Sequence, residues 1–339
     1  MVATEPDKLV ETLERWLAID SVSGNERRFL EKLEQSFDER RWTVERQDVE
    51  TDRWNLIATD AAPLEVLFCT HVDTVPPTLP VRRDGDTIYG RGACDTKGGL
   101  LAMIEAARRL HDQGVDGLGF LLVVGEEVDH RGAKTARDLD LSPKRIILCE
   151  PTKNRVVRAQ KGMLKVTLRT TGVAGHSAYP DEGESAVNPL LDALERIRNH
   201  DWPVDDVLGP TTLNIGQIDG GVAANVFAPD ARAQLLFRAV DDVEPMLETV
   251  ERLAGADVAV DDPIYNDPVF FDPPDDVPTC TVPFNTDAAY LGELGDIWLV
   301  GPGDIQVAHS DDEHIEVDEM LRGIDLYQSL TRRVVDPSK

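Results

Sequence analysis

The stretch Val66-Leu67-Phe68-Cys69-Thr70-His71-Val72-Asp73 decides the fold, because an apolar run ends there in an imidazole and a carboxylate. Such a run is typical of a buried strand, and ligands of an open α/β sheet bind outside the carboxyl ends of the strands. Other acidic or imidazole residues lie beside apolar or glycine-rich segments in the same way: Asp95, Glu126, Glu127, Glu150 and His309. We therefore expect these side chains to converge.

Converging carboxylates and imidazoles would repel one another or change protonation if no cation lay between them. A pair of divalent metal ions is the simplest remedy. One ion would take His71, Asp95 and Glu150. The other would take Asp95, Glu127 and His309, and a shared water would complete four ligands for each. Mixed nitrogen and oxygen ligands favour zinc or cobalt over calcium or magnesium, so the sequence predicts a two-metal hydrolase.

The composition argues against several classes of protein. The 339 residues carry a formal net charge of -28, spread along the chain without a basic strip, which argues against nucleic acid and anionic membranes as partners. No run of about 18 uncharged apolar residues exists, so a membrane span is not expected. The acidic, amphipathic N-terminus is unlike a secretory signal, which predicts a cytoplasmic protein.

The charge also predicts adaptation to salt. Self-repulsion of this size destabilises a compact chain at low ionic strength. Salt screens that repulsion, because the Debye length falls to roughly 3 Å near 1 M. The interpretation is an enzyme of a very salty cytoplasm, and an acidic enzyme of an ordinary cytoplasm is the alternative.

The apolar patterns predict two domains. Strand and helix patterns alternate up to about residue 160, which is typical of an α/β sheet with helices on both faces. Residues 161–264 change to half-solvated strands and amphipathic helices in the order β-α-β-β-α, a natural inserted α+β domain. The proline-rich stretch from Asp261 to Pro278 is interpreted as the return linker. The prediction is therefore a mixed-sheet catalytic domain of residues 1–160 and 265–339, with an insert at 161–264.

Two pairs of residues suggest a division of labour. His71 and Asp73 are separated by one residue at a strand end, which suits a metal-binding imidazole steadied by a carboxylate. Glu126 and Glu127 are adjacent, so in an extended segment they would face different directions. One could bind metal while the other handles a water proton. The alternative for such an acidic pair is a solvated loop.

These segments together closely resemble the co-catalytic zinc aminoacylase/carboxypeptidase superfamily, which includes acetylornithine deacetylase and succinyl-diaminopimelate desuccinylase. The resemblance covers nearly the whole chain and rests on motifs in order: His71-x-Asp73-x-Val75-Pro76, Gly90-Arg91-Gly92 through Gly99, Glu126-Glu127, Glu150-Pro151-Thr152, Gly175-His176-Ser177 and Ala308-His309. It implies two zinc ions, with cobalt possible, and Glu126 as the general base. It also implies a cis peptide at Cys94–Asp95.

The resemblance implies that the inserted domain is a lid and that it mediates homodimerisation. His176 is similar to the lid histidine that stabilises the oxyanion, often in the partner subunit's active site. Asn225 resembles a substrate-positioning asparagine, and Arg238 resembles an arginine that clamps a substrate carboxylate with its planar fork. The alternatives are a surface histidine, a turn asparagine and a strand-end ion pair.

The substrate is predicted from a short connection. Residues 72–81 run quickly into Gly90-Arg91-Gly92, whereas desuccinylase-type relatives have a longer loop here. This is most similar to hydrolases of lysine and arginine biosynthesis that release lysine or ornithine from a small acidic amino-group carrier protein. Their substrate is the amide between the carrier's terminal glutamate γ-carboxyl and the α-amine of the amino acid. The alternatives are a small-molecule N-acyl-amino-acid deacylase or dipeptidase, and a non-catalytic metal- or peptide-binding relative.

Overall fold

The computed structural model describes residues 5–336, which form two compact units. The first unit contains the described residues up to Arg158, then Phe271–Cys280, and then the chain from Thr286 onward. The second contains Ala159–Phe270 and Thr281–Asn285. The second unit is therefore an insertion in the sequence of the first.

A six-stranded mixed sheet forms the centre of the first unit. Its strands, in spatial order, are Thr43–Glu50, Arg53–Thr59, Leu118–Val123, Val66–His71, Arg145–Leu148 and Ile297–Leu299. The last four are parallel, and the first two pair antiparallel. Every residue of Val66–His71 and Leu118–Val123 is buried, as expected for parallel strands covered on both faces. Parallel neighbours also bring their carboxyl ends to one edge of the sheet.

Helices cover this sheet and are held to it by large apolar side chains. The helices of the unit are Glu5–Leu17, Arg27–Glu34, Gly98–His111, Arg131–Ala136, Ala288–Leu291 and Val317–Val335. Phe68 of the sheet stacks on Phe120 at 5.3 Å between centroids and meets Tyr327 of the last helix edge-on at 6.2 Å. Burying one such phenylalanine is worth roughly 1.5–3 kcal/mol. None of the helices within residues 5–336 is both long and apolar enough to cross a bilayer.

A small antiparallel sheet joins two distant parts of the first unit. Its strands are His314–Glu316, Thr87–Tyr89 and Arg82–Asp84, in that order. The register pairs His314 with Tyr89, and the Gly90 amide donates to the Glu313 carbonyl at 3.0 Å. The ladder therefore brings the segment before His314 to the glycine-rich segment that begins at Gly90.

The second unit is a four-stranded antiparallel sheet with two helices. The strands, in spatial order, are Thr212–Gly220, Asp230–Ala239, Gly162–Thr171 and Ala259–Asn266. Helices Val187–Arg198 and Val243–Ala254 share one apolar cluster with this sheet. The remaining short strands are Val156–Gln160, Val204–Asp205, Gly209–Pro210, Val269–Phe270 and Thr279–Val282. The predicted fold class, a mixed α/β catalytic part with an α+β lid, is confirmed.

The predicted return linker is wrong where it begins. Ala259–Asn266 is an edge strand on Gly162–Thr171, with a register shift between Asp261 and Ile264 that encloses Pro263. Proline is tolerated at sheet edges and bulges, where its missing donor leaves no ladder bond unmade. Val269–Phe270 is also paired, with Gln160 and Ala159. The second unit therefore extends beyond the predicted residues 161–264, and the first resumes at Phe271 rather than at 265.

Candidate active site

His71 ends a central strand, and its ring is fixed by main chain. Nδ1–H donates to the Asp73 carbonyl at 2.9 Å, which leaves Nε2 for a further partner, 3.0 Å from Asp95 Oδ1. We predicted that the Asp73 carboxylate would steady this ring. That carboxylate lies 3.6 Å from Nδ1, too far for a hydrogen bond, so the carbonyl of the same residue sets the tautomer instead.

The Asp73 carboxylate organises the turn that carries the acidic pair. It accepts from the backbone amides of Gly125 at 2.9 Å, Glu126 at 3.1 Å and Glu127 at 3.2 Å, and from Ser23 Oγ at 2.7 Å. Successive amides that converge in this way form an anion-binding concavity. Burial alone would raise the pKa of Asp73, but the His71 imidazole and these donors lower it.

The acidic pair lies in a turn and not in an extended segment, because Gly125, two residues after the strand, adopts a left-handed φ of 78°. The two side chains still diverge. His309 Nε2 lies 3.0 Å from the Glu127 carboxylate, whereas Glu126 Oε1 lies 3.6 Å from His130 Nδ1. The two side chains therefore face different directions, as predicted, but the cause is the turn at Gly125 and not an extended backbone.

Asp95 occupies an irregular segment of the first unit. Gly92 has a φ of 84°, and the segment Ala93–Lys97 that follows is kinked, with non-helical dihedral angles at Asp95 and Thr96. The cis peptide is Asp95–Thr96, one bond after the Cys94–Asp95 peptide that the resemblance implied. Thr96 Oγ1 donates to the His71 carbonyl at 3.0 Å and so joins this segment to the strand end. Asp95 Oδ2 lies 3.4 Å from His309 Nε2, so the two oxygens of one carboxylate face two different imidazoles.

The structure groups the predicted ligands into the two expected sets. His71, Asp95 and Glu150 offer atoms within 4.8 Å of one another, as do Asp95, Glu127 and His309. His309 does not follow a strand, contrary to the apolar run before it. It lies in a turn with a φ of 62°, and its side chain is 49% exposed.

The protonation of these groups fits a cation site. Burial raises the pKa of Glu126, Glu127 and Glu150, and a neighbouring carboxylate adds to the rise in each case. Hydrogen bonds to Asp95 and Glu127 raise the pKa of His309 to about 10. Ionising so many buried acids together costs free energy unless positive charge lies among them. Mixed imidazole and carboxylate donors at this spacing suit a pair of divalent cations.

The predicted lid residues all belong to the second unit. His176 bridges to Val226, and the Ser177 amide donates to the Asn225 carbonyl at 3.0 Å, so the segments of His176 and Asn225 adjoin. Both of these side chains are exposed. Arg238 is partly buried on the strand Asp230–Ala239, opposite Thr212 and Met163. Their substrate-binding roles stay predictions.

Three buried residues of the site were missed from the sequence. Glu313 is fully buried, although it ends the acidic run Asp311-Asp312-Glu313, a pattern typical of a solvated loop. His130 Nδ1 hydrogen-bonds Asp287 Oδ1 at 2.9 Å behind Glu126. The four-residue spacing from Glu126 to His130 is the one sequence signal that could have indicated the contact between these two side chains.

Comparisons with known proteins identify similar sequences and structures. Residues 67–333 match the profile of peptidase family M20/M25/M40. The chain is 34% identical to a peptidase M20 domain-containing protein of Schizosaccharomyces pombe, over 96% of this chain and 84% of that protein. It is 35% identical to a probable carboxypeptidase of Aspergillus terreus, over 92% and 83% respectively. A tripeptidase structure from Staphylococcus aureus superposes with a TM-score of 0.82 at 21% identity, covering 97% of this chain and 99% of that one.

The chain belongs to the peptidase family M20/M25/M40. It is accordingly a metal-dependent hydrolase that acts on amide bonds. The predicted superfamily and enzyme class are confirmed, and a non-catalytic binding protein is not supported.

Proposed function

We propose that the chain holds two divalent cations and hydrolyses the amide that joins an acyl group to the α-nitrogen of an amino acid. The observation that carries this proposal is the Asp95 carboxylate, whose oxygens face His71 on one side and His309 on the other. A single carboxylate in this position would offer one oxygen to each of two cations. Zinc is the proposed metal, because the donors are imidazoles and carboxylates, and cobalt accepts the same set.

The residues of the site divide the chemistry among them. Two bound cations would polarise the amide carbonyl and make a water molecule more acidic. Glu126, which belongs to neither ligand set, would accept the proton of the attacking water and return it to the leaving nitrogen. Asp73 would keep Glu126 in place through its amide. His176, Asn225 and Arg238 would bind the oxyanion and the substrate carboxylate, as the family resemblance implies.

The proposed substrate is lysine or ornithine linked through its α-amine to the terminal glutamate of a small acidic carrier protein in the cytoplasm. The amino acid on such a carrier keeps a free α-carboxylate, as the residue released by a carboxypeptidase does. Relatives named carboxypeptidase are consistent with that chemistry. The connection after Asp73 is short, and Pro76, Pro77 and Thr78 on it are exposed, which leaves room for a protein-borne tail.

A peptide exopeptidase is the second candidate. It is favoured by the 35% identity to a probable carboxypeptidase over most of both chains. An N-acyl-amino-acid deacylase or a dipeptidase would use the same proton transfers. The three differ in the acyl side of the amide and not in the reaction.

One assay separates these candidates. Turnover is measured on a lysine-loaded carrier, acetylornithine, succinyl-diaminopimelate and a tripeptide that ends in lysine. We expect kcat/KM for the carrier to exceed the others by at least about 10-fold, the lower limit for discrimination by a modest difference in pocket contacts. Faster cleavage of the tripeptide would support the exopeptidase, and cleavage of only an acyl compound would support the deacylase.

Dimerisation through the lid belongs to this proposal. Leu191, Ile218 and Val222 of the second unit are large apolar residues with more than half of their surface exposed. Among residues 5–336, the strand that contains Ile218 lies at the edge of its sheet, and an edge strand can pair with another chain through its main-chain groups. Analytical ultracentrifugation measures the mass in solution, and a mass of the monomer alone would refute dimerisation.

Adaptation to salt also stands as a proposal, carried by the net charge of -28. We expect the melting temperature of the metal-loaded protein to rise between dilute buffer and about 1 M potassium chloride, where screening is nearly complete. Differential scanning calorimetry measures it. An unchanged or lower melting temperature would contradict the adaptation.

A further inference from the structure

Glu313 lies outside both ligand sets, but its carboxylate accepts hydrogen bonds from the segment that contains Asp95. Oε1 accepts from the Gly92 amide at 2.8 Å and from the Asp95 amide at 3.3 Å. Oε2 accepts from Arg91 at 2.5 Å. The side chain is fully buried, so none of these bonds is exchanged with bulk water.

Arg91 extends the same connection to two other segments. Its guanidinium, which is 3% exposed, donates to the Ser310 carbonyl and to the Pro77 carbonyl, each at 3.2 Å. Ser310 directly follows His309. A planar guanidinium can hold several acceptors in fixed directions at once, which a lysine ammonium cannot do as rigidly.

The segments held in this way lie outside the central sheet. Asp95 lies at a kink with the non-helical dihedral angles φ -121° and ψ 85°, and His309 adopts a φ of 62°, a region that residues other than glycine rarely occupy. His71 and Glu150, in contrast, lie at or next to the ends of central strands. The Arg91–Glu313 pair contacts both of these segments through side chains, in addition to the backbone hydrogen bonds within each segment.

We propose that the buried Arg91–Glu313 pair is a positioning device that fixes the Asp95 and His309 segments for cation binding and thereby sets the affinity of both ions. This inference rests on the proposed two-cation site. Substituting the residues that orient metal ligands typically costs about 10–100-fold in affinity. Asp95 belongs to both ligand sets and His309 to only one, so the two halves of the pair have distinguishable effects.

The experiment measures cation binding and not turnover. Metal-free wild type, Glu313→Gln and Arg91→Lys are titrated with zinc by calorimetry, and the absorption spectrum of each cobalt-loaded protein is recorded. We expect Glu313→Gln to weaken the binding of both ions by about 10–100-fold, because the Asp95 segment loses the carboxylate that accepts from its amides. Arg91→Lys keeps a positive charge beside Glu313 but loses the guanidinium hydrogen bond to the Ser310 carbonyl. We therefore expect it to weaken mainly the binding of the cation that His309 would hold, and to alter the cobalt spectrum.

Asp60→Asn is the matched control. The Asp60 side chain is 2% exposed and accepts from the amides of Gly117 and Leu118 and from the His111 ring, at the opposite end of the central strands. It makes the same kind of buried carboxylate contact without touching a ligand segment. We expect it to lower the melting temperature of the metal-free protein and to leave zinc affinity at the two ligand sets unchanged, whether or not the separate group of Asp60, His111 and Asp116 takes up an ion of its own.

The outcomes separate the inference from the proposed function. Wild type that binds no zinc would overturn the two-cation site and the inference together. Wild type that binds two ions, with both variants folded and equal to it in affinity and spectrum, would overturn the positioning role alone. If Asp60→Asn lowers zinc affinity as much as the two variants do, the loss reflects general destabilisation of the fold, and the positioning role is overturned. If Glu313→Gln fails to fold, the Arg91→Lys titration decides.

Discussion

Glu126→Gln is expected to lower kcat by about 10²–10⁴-fold while both cations stay bound, because the amide cannot accept the proton of the attacking water. The substitution keeps the shape of the side chain, and Glu126 groups with His130 and Asp287 rather than with either of the two proposed ligand sets. Its backbone amide would still donate to Asp73, so the turn should persist. Steady-state kinetics on the best substrate, with metal content measured on the same samples, tests this expectation.

Two controls make the result specific. Glu11→Gln makes the same chemical change on the exposed face of the first helix and should leave kcat unchanged. Glu127→Gln, on the ligand side of the pair, should reduce metal content as well as turnover. Near-wild-type turnover in Glu126→Gln with two bound cations would refute the general-base role and leave the cation site intact.

The acids at the strand ends could be predicted because their positions follow from chain pattern and topology alone. An apolar run marks each central strand, and parallel neighbours must bring their carboxyl ends to one edge. His71 and Glu150 therefore needed no knowledge of distant contacts. The acidic pair after Val123 was found for the same reason, although its turn depends on a left-handed Gly125 that the pattern did not indicate.

The rest of the site depends on contacts between residues far apart in the chain. Glu313 follows two exposed acids, and only the pairing of His314 with Tyr89 buries it against Gly92. Asp287 meets His130 across 157 residues, which no local spacing encodes. The strand Ala259–Asn266 was missed because its proline and acids are typical of a loop, whereas an edge position with a bulge tolerates both.

Asp95→Asn is expected to remove both cations, a larger loss of binding than any substitution at a single ligand set. The amide replaces a negative charge with a neutral group, and only one of its two polar atoms can still donate an electron pair to a metal. Its amino group would face either His71 or His309, whose ring nitrogens lie at 3.0 Å and 3.4 Å from the present carboxylate. One of the two ions must then lose a ligand outright, and the other loses the charge that holds it.

Thermal stability gives a readout of this loss that does not depend on turnover. A ligand at 100 times its Kd stabilises the folded state by about 2.7 kcal/mol per site, so zinc should raise the melting temperature of wild type clearly. We expect that rise to disappear in Asp95→Asn and to fall by about half in His309→Ala, which keeps the His71 set complete. Because binding at each set requires deprotonated ligands, the rise in wild type should also shrink as the pH falls. An Asp95→Asn protein that still binds two zinc ions with wild-type affinity would show that this carboxylate does not bridge them.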